Sequence, residues 1–261
     1  MYRLLILSDN QKTIDRLTSL KGWETVGFSP PQIFTTKEET IEYLQHHIVD
    51  VIALDDLFLD FSSDLISNYD NIPIISVAKS DEAQMSELRE IYRLLGQVHG
   101  DHTDDSVGVE ANFDMLRHRL FKKIICGAMP SESEATRQLL MLRSTKGIYT
   151  PCVVAKLYIN DTNQFLSNRW HYGSERLEYA LRNFFGKKHD DMSIHIAIVS
   201  PTEATILFHP LDESVVLDTN KVRDFTVNVL EEVKEYLGFD LELISIDLIP
   251  GIVTFIEKKE A

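Results

Sequence analysis

The sequence predicts two folded parts joined by a helical segment: a doubly wound parallel α/β sheet over residues 1–110, a linker over 111–147, and an α+β domain over 148–261. Three observations carry this. Short β-branched apolar runs alternate with segments of helical period through the first half, as in a parallel sheet covered on both faces. The second half reads strand, helix, strand, strand, helix, strand, which calls for an antiparallel sheet with helices on one face. Between them lie two amphipathic helical patterns and no strand. A chain of 261 residues is long enough for two separate cores.

Composition narrows the class. Apolar residues at 44% and charged residues at 26% are those of a soluble globular protein. A net charge of −15 excludes broad nucleic-acid binding, which needs clustered Lys and Arg, and suits an anionic membrane surface poorly. No apolar run approaches the roughly 20 residues that span a bilayer. The chain opens directly on a strand pattern, so no signal peptide is expected. Cys126 and Cys152 lack metal-type spacing and are expected to be reduced, buried thiols of a cytoplasmic protein.

In chain order, Tyr2–Leu7 is the first strand and ends in Ser8-Asp9. Asn10 caps a helix with Ile14, Leu17 and Leu20 on one face. Pro30-Pro31 breaks the chain before a short strand at Ile33-Phe34. Thr36-Lys37-Glu38-Glu39 is a capping box for a helix striped by Ile41, Leu44 and Ile48. Val51–Leu54 is a buried strand ending in Asp55-Asp56, and a weak helix follows near Leu65-Ile66. Ile72–Val77 is the next strand, tolerating Pro73 near its start. Asp81 opens a helix carrying Met85, Leu88, Ile91, Tyr92 and Leu95, with Gly96 as its stop. The stretch from Gly100 to Glu110 is acidic and reads as a solvated loop. His99 and His102 beside Asp101, Asp104 and Asp105 have no metal-ligand spacing, and His46-His47 suits a helix end.

Chemistry in open α/β sheets gathers beyond the carboxyl ends of the strands. There Asp9 and Asp55 would offer oxygen ligands to a hard cation. With this order and these strand-end acids, residues 1–125 resemble a response-regulator receiver (flavodoxin-like, CheY-like) domain. The Met1–Leu7 start and Gly22–Phe28 are similar to the receivers of AraC-type transcriptional response regulators. The resemblance implies that Asp55 is the phospho-acceptor, that Asp9 is one of the acids holding Mg²⁺, and that a histidine kinase is a partner. The departures are specific. Ser8 replaces the other acid, and Ala78 stands where the family has a Ser or Thr. No Lys-Pro follows Gly96, where the chain reads Gln97–Asp105; Lys79 is one residue beyond Ala78. An aspartyl phosphate here would lack a metal ligand, a hydroxyl and a cation, each contact worth about 1.5–3 kcal/mol. The first half therefore reads as a pseudo-receiver with at most a weak Mg²⁺ site at Asp9 and Asp55, and no other cofactor.

The linker holds a helix with Phe113, Leu116, Leu120, Phe121, Ile124 and Ile125 on its apolar face. Opposite are Arg117, His118, Arg119, Lys122 and Lys123, read as a solvated face paired with nearby acids. Ser131–Glu134 is a second capping box, for a helix through Leu139, Leu140 and Leu142. Two such helices suit pairing across a two-fold axis, so a homodimer is expected.

The second half opens with a strand at Pro151–Ile159 and a helical region from Phe165 to Phe185. Ile194–Val199 and Thr205–Phe208 form a hairpin through Ser200-Pro201-Thr202-Glu203-Ala204. A helix with Val222, Phe225, Val229, Leu230, Val233 and Leu237 stops at Gly238, and Leu241–Ile246 is the last strand. This ferredoxin-like order resembles the palm (GGDEF-like) fold of diguanylate cyclases, through Asp161 and the span Phe165–Leu177 with His171 and Gly173. That family's hairpin, Gly-Gly-Asp/Glu-Glu-Phe, is replaced by Pro201-Thr202-Glu203-Ala204-Thr205, so no cyclase activity is expected. His195 and His209 read as ordinary hairpin histidines.

Together these readings give a non-enzymatic signalling and transcription-regulatory protein resembling the N-terminal regulatory part of an AraC-type response regulator. It would act by dimerisation or partner contacts. The helix-turn-helix expected after Phe255-Ile256 does not appear, so DNA would be reached only through a module absent from these residues. The alternatives are a working receiver phosphorylated on Asp55, or a ligand-sensing or nucleotide-binding cyclase-like module.

Overall fold

A computed structural model describes residues 1–69, 72–98, 105–144, 147–160, 173–211 and 215–256. The protein is mixed α/β, with a four-stranded parallel sheet and a five-stranded antiparallel one. It divides into two compact units, Met1–Arg117 with Thr136–Thr145, and His118–Ala135 with Lys146–Ala261.

In the first unit, β1 (Leu4–Leu7), β2 (Gln32–Phe34), β3 (Val51–Leu54) and β4 (Ile74–Ser76) form the parallel sheet in the order β2-β1-β3-β4. Helices α1 (Gln11–Ser19), α2 (Lys37–His46), α3 (Ser62–Asn68) and α4 (Asp81–Val98) connect and follow them. Alternate strand residues face opposite ways. Leu4, Ile6, Val51, Ala53 and Ile75 pack with Leu17 of α1 and with Leu88, Ile91 and Leu95 of α4. Leu5, Leu7, Ile52, Leu54 and Ile74 pack with Leu44 of α2 and with Leu65 and Ile66 of α3. Covered on both faces, β1 and β3 are buried throughout, which is why their sequences are apolar without alternation.

The caps at Asn10 and Thr36 form as expected, through bonds to Lys12 N and Thr13 N and to Glu39 N. Gly27 is required where it sits. Its φ is +85°, and a Cβ there would lie 2.3 Å from the Tyr92 ring. Its carbonyl accepts from Tyr2 N at 2.9 Å, tying the chain start to the segment before β2.

Three expectations change. Gly96 does not stop α4, which runs to Val98; an isolated helical glycine costs only about 1 kcal/mol, and tertiary packing of Leu95 and Val98 overrides it. Ile48 is 69% exposed while Val49 is buried, because α2 ends at His46 and helical spacing no longer places residue 48. Residues 105–110, read as loop, belong to helix α5 (Asp105–Ile125); once the apolar stretch beyond Phe113 nucleates a helix, propagation adds residues at little cost despite Gly108. His99, His102, Asp101 and Asp104 lie outside the described residues.

The second unit is built on β5 (Cys152–Asn160), β6 (Lys188–His189), β7 (Met192–Ser200), β8 (Glu203–Pro210) and β9 (Asp240–Ile249), antiparallel in the order β6-β7-β8-β5-β9. α6 (Glu132–Met141) precedes β5 and belongs from Thr136 onward to the first unit; α7 (Gly173–Phe185) and α8 (Thr219–Leu237) lie between strands; α9 (Val253–Ile256) closes the described chain. One sheet face, with Val153, Ala155, Leu157, Ile194, Ile196, Ile206 and Phe208, packs on Leu177, Leu181 and Phe185 of α7 and on Val222, Val229 and Val233 of α8. The hairpin expected from Pro201 joins β7 and β8, and Gly238 ends α8 at φ +66°. Short β6, and the Asp218 cap of α8 through Asn220 N, were not visible in the pattern. Asp161, Phe165 and His171 lie outside the described residues.

Candidate functional site

The strand ends of the first unit bring Ser8, Asp9, Asp55 and Ala78 to one edge of the parallel sheet, since β1, β3 and β4 run in register side by side. Ser8 is fully buried and its Oγ donates to Asp55 Oδ2 at 2.5 Å. Ser8 Oγ also accepts from Asn10 N at 3.2 Å, linking Ser8 to the start of α1. The other oxygen of Asp55, Oδ1, accepts from Asp56 N at 2.8 Å and caps a 3-10 helix over Asp56–Phe61. Both carboxylate oxygens of Asp55 are therefore hydrogen-bonded within the protein. Asp9 is exposed and makes no bond to Asp55.

Just past β4, both backbone groups of Ala78 are held by side chains of α1 and α4. Its N–H donates to Oε1 of buried Gln84 at 3.0 Å, and its carbonyl accepts from Arg16 Nη2 at 2.6 Å. Arg16 Nη1 also pairs with Asp81 at 2.9 Å, clamping α1 to the start of α4. Lys79 is exposed. A hard cation needs about six oxygen ligands, and a carboxylate bonded at both oxygens beside one exposed acid is a poor donor set. Among the described residues no group of three or more His, Cys, Asp or Glu side chains is placed to hold a metal.

A second polar constellation lies in the second unit, and the sequence did not predict it. Glu178 of α7, 5% exposed, accepts from His118 Nε2 at 3.2 Å and from Lys122 Nζ at 2.9 Å. It also accepts from Ile198 N at 3.3 Å, closing a backbone donor of β7. Burial pushes its carboxyl up, but the bonds from His118 and Lys122, the Lys122 charge and the Ile198 N–H outweigh this and hold it below its ordinary value. His118 is thus buried, correcting its placement on a solvated face: spacing cannot reveal an acid sixty residues away. Arg117 pairs with Asp114 at 3.0 Å, while Arg119 and Lys123 are exposed as expected. Beside this group Phe121 stacks on His195 at 3.9 Å and lies 5.8 Å from fully buried His209.

Of the cysteines, Cys152 is buried, its thiol pushed up to about 12 by burial, but Cys126 is exposed, just past the end of α5. Among the described residues no helix is long and apolar enough to cross a membrane. No known family model matches this chain, and no curated protein matches it.

Proposed function

We propose that the chain is a non-enzymatic regulatory protein of the AraC-type response-regulator kind, in which a pseudo-receiver and a degenerate cyclase-like domain act through dimerisation or partner contacts. The single observation carrying this reading is the Ser8–Asp55 bond. A phospho-acceptor needs a carboxylate open to a phosphodonor and to Mg²⁺, whereas Asp55 is occupied on one oxygen by a buried hydroxyl and on the other by a helix cap. Asp55 acts here as the joint between β1, β3 and the following helix.

The strand order β2-β1-β3-β4 supports the receiver part of the reading, because it matches the first four strands of the flavodoxin-like order 2-1-3-4-5. For the second part, support comes from the succession β5-α7-β7-β8-α8-β9, which, apart from the two-residue β6 between α7 and β7, follows the ferredoxin-like plan. The β7–β8 turn at Pro201-Thr202 has neither the glycines nor the paired acids of a nucleotide-condensing hairpin. Contact with DNA belongs, on this reading, to a helix-turn-helix module that these residues do not contain.

One observation favours a working receiver instead: Asp55 stands at the end of β3, beside the end of β1 that carries Asp9. Incubation with acetyl phosphate and Mg²⁺, followed by intact-mass measurement, separates the two readings. The pseudo-receiver gives no phosphoryl adduct. An adduct on Asp55 that is lost in Asp55→Asn establishes the alternative.

A further inference from the structure

The two edges of the antiparallel sheet are treated differently. At one end β6 is only two residues long, and the Ile198 N–H of β7 beyond it is closed by the carboxylate of Glu178. Short strands and side-chain caps are how a sheet edge is kept from pairing with another chain. At the other end stands β9, ten residues long, whose one strand neighbour among the described residues is β5. Its sequence, Asp240-Leu241-Glu242-Leu243-Ile244-Ser245-Ile246-Asp247-Leu248-Ile249, contains no Lys, Pro or Gly; what guards this edge is a bulge and three acids, Asp240, Glu242 and Asp247, which repel acidic strands and admit basic ones.

The register sharpens the picture. Leu243 pairs with Leu157 and Ser245 with Lys156, so Ile244 is the extra residue of a bulge and is 63% exposed. From Ser245 to Ile249 the pairing with β5 is unbroken, leaving one regular edge segment beyond the bulge. In an antiparallel sheet alternate residues of such a segment aim N–H and C=O outward. Leu248 in this segment is 54% exposed, and Tyr158 of β5, opposite Glu242, is 41% exposed.

Charge selects the occupant. Glu242 is bonded by Asn160 and Asp247 by Ser245, both neutral donors, and neither carboxylate has a cationic partner among the described residues. A second copy adding its own β9 here by two-fold pairing would set Asp240, Glu242 and Asp247 against the same three acids and be repelled. We propose that the edge of β9 over Ser245–Ile249 is a docking site for an extended basic segment of another protein. The segment adds as a strand, its backbone pairing with β9, alternate apolar side chains meeting Ile244 and Leu248, and Lys or Arg meeting Glu242 and Asp247. Strand addition of this kind draws affinity from main-chain bonds and specificity from alternate side chains.

The test uses the full chain and a blocked, fluorescently labelled peptide of alternating lysine and valine, with an alternating glutamate–valine peptide as control. Anisotropy is expected to show saturable binding of the lysine peptide only. Affinity falls about tenfold in Ile244→Lys and in Asp247→Lys, and also when ionic strength rises from about 0.05 to about 0.5 M. Hydrogen exchange is expected to slow within residues 245–249 on binding. Both substituted side chains are exposed, and circular dichroism checks that the variants fold; Glu242→Lys is the replacement should one fail. The proposal is overturned if the lysine peptide does not bind, if both peptides bind alike, if protection falls elsewhere, or if β9 proves to be covered by a second copy, read as a dimer that Ile244→Lys dissolves.

Discussion

The hydroxyl at position 8 sets what Asp55 is able to do. Ser8 Oγ satisfies one oxygen of Asp55, the carboxylate proposed to be a structural joint. Ser8→Asp puts two acids at the end of β1 and removes that bond; it is predicted to bind Mg²⁺ at least about tenfold more tightly than the parent protein, measured by calorimetry. Gln84 is predicted to matter for a different reason. It is fully buried and holds the Ala78 N–H, so Gln84→Leu strands that donor and costs about 1–3 kcal/mol in denaturant unfolding. Glu178 gives a pH signature. Its folded carboxyl lies below its ordinary value, so the stability it contributes is complete above that ordinary value and is lost as pH falls through the lowered one. Glu178→Gln is predicted to cost about 2 kcal/mol at neutral pH and to flatten the loss of stability in acid.

Elements were legible where their signals are local. The caps at Asn10 and Thr36, the apolar strands Val51–Leu54 and Leu4–Leu7, and the stop at Gly238 all depend on a few neighbouring residues, and the sequence displays them directly. What stayed hidden depends on partners distant in the chain. Nothing near His118 announces Glu178, and nothing near Ala78 announces Gln84 or Arg16 as the groups that hold its backbone. Asp9 and Asp55 were found by their place at strand ends; the bond that engages Asp55 required the register of β1 against β3. The glycine before α9 makes the same point. Gly251 has φ +155°, and a Cβ there would meet the Ile148 carbonyl at 2.3 Å, a backbone atom with little freedom to move. Gly251→Ala is predicted to destabilise the protein by about 3 kcal/mol or more, read from the denaturant midpoint.

At the scale of the molecule, an acidic chain is proposed to act by contact rather than by chemistry. Its charge of −15 makes unlike-charged contacts the ones that steer association. Arg119 and Lys123 are exposed cations on α5, the helix expected to contribute to a dimer. Light scattering at micromolar concentration is predicted to give a dimer, and Arg119→Glu with Lys123→Glu to weaken it about tenfold; a monomer throughout removes dimerisation from the mechanism. The central claim, that Asp55 is a structural joint and not a switch, is tested most directly by NMR of the protein titrated with Mg²⁺ and beryllium fluoride, which mimics a phosphoryl group on an aspartate. The amides of Asp9, Asp55 and Ala78 are predicted to stay where they are. Saturable shifts at these three positions would contradict the account.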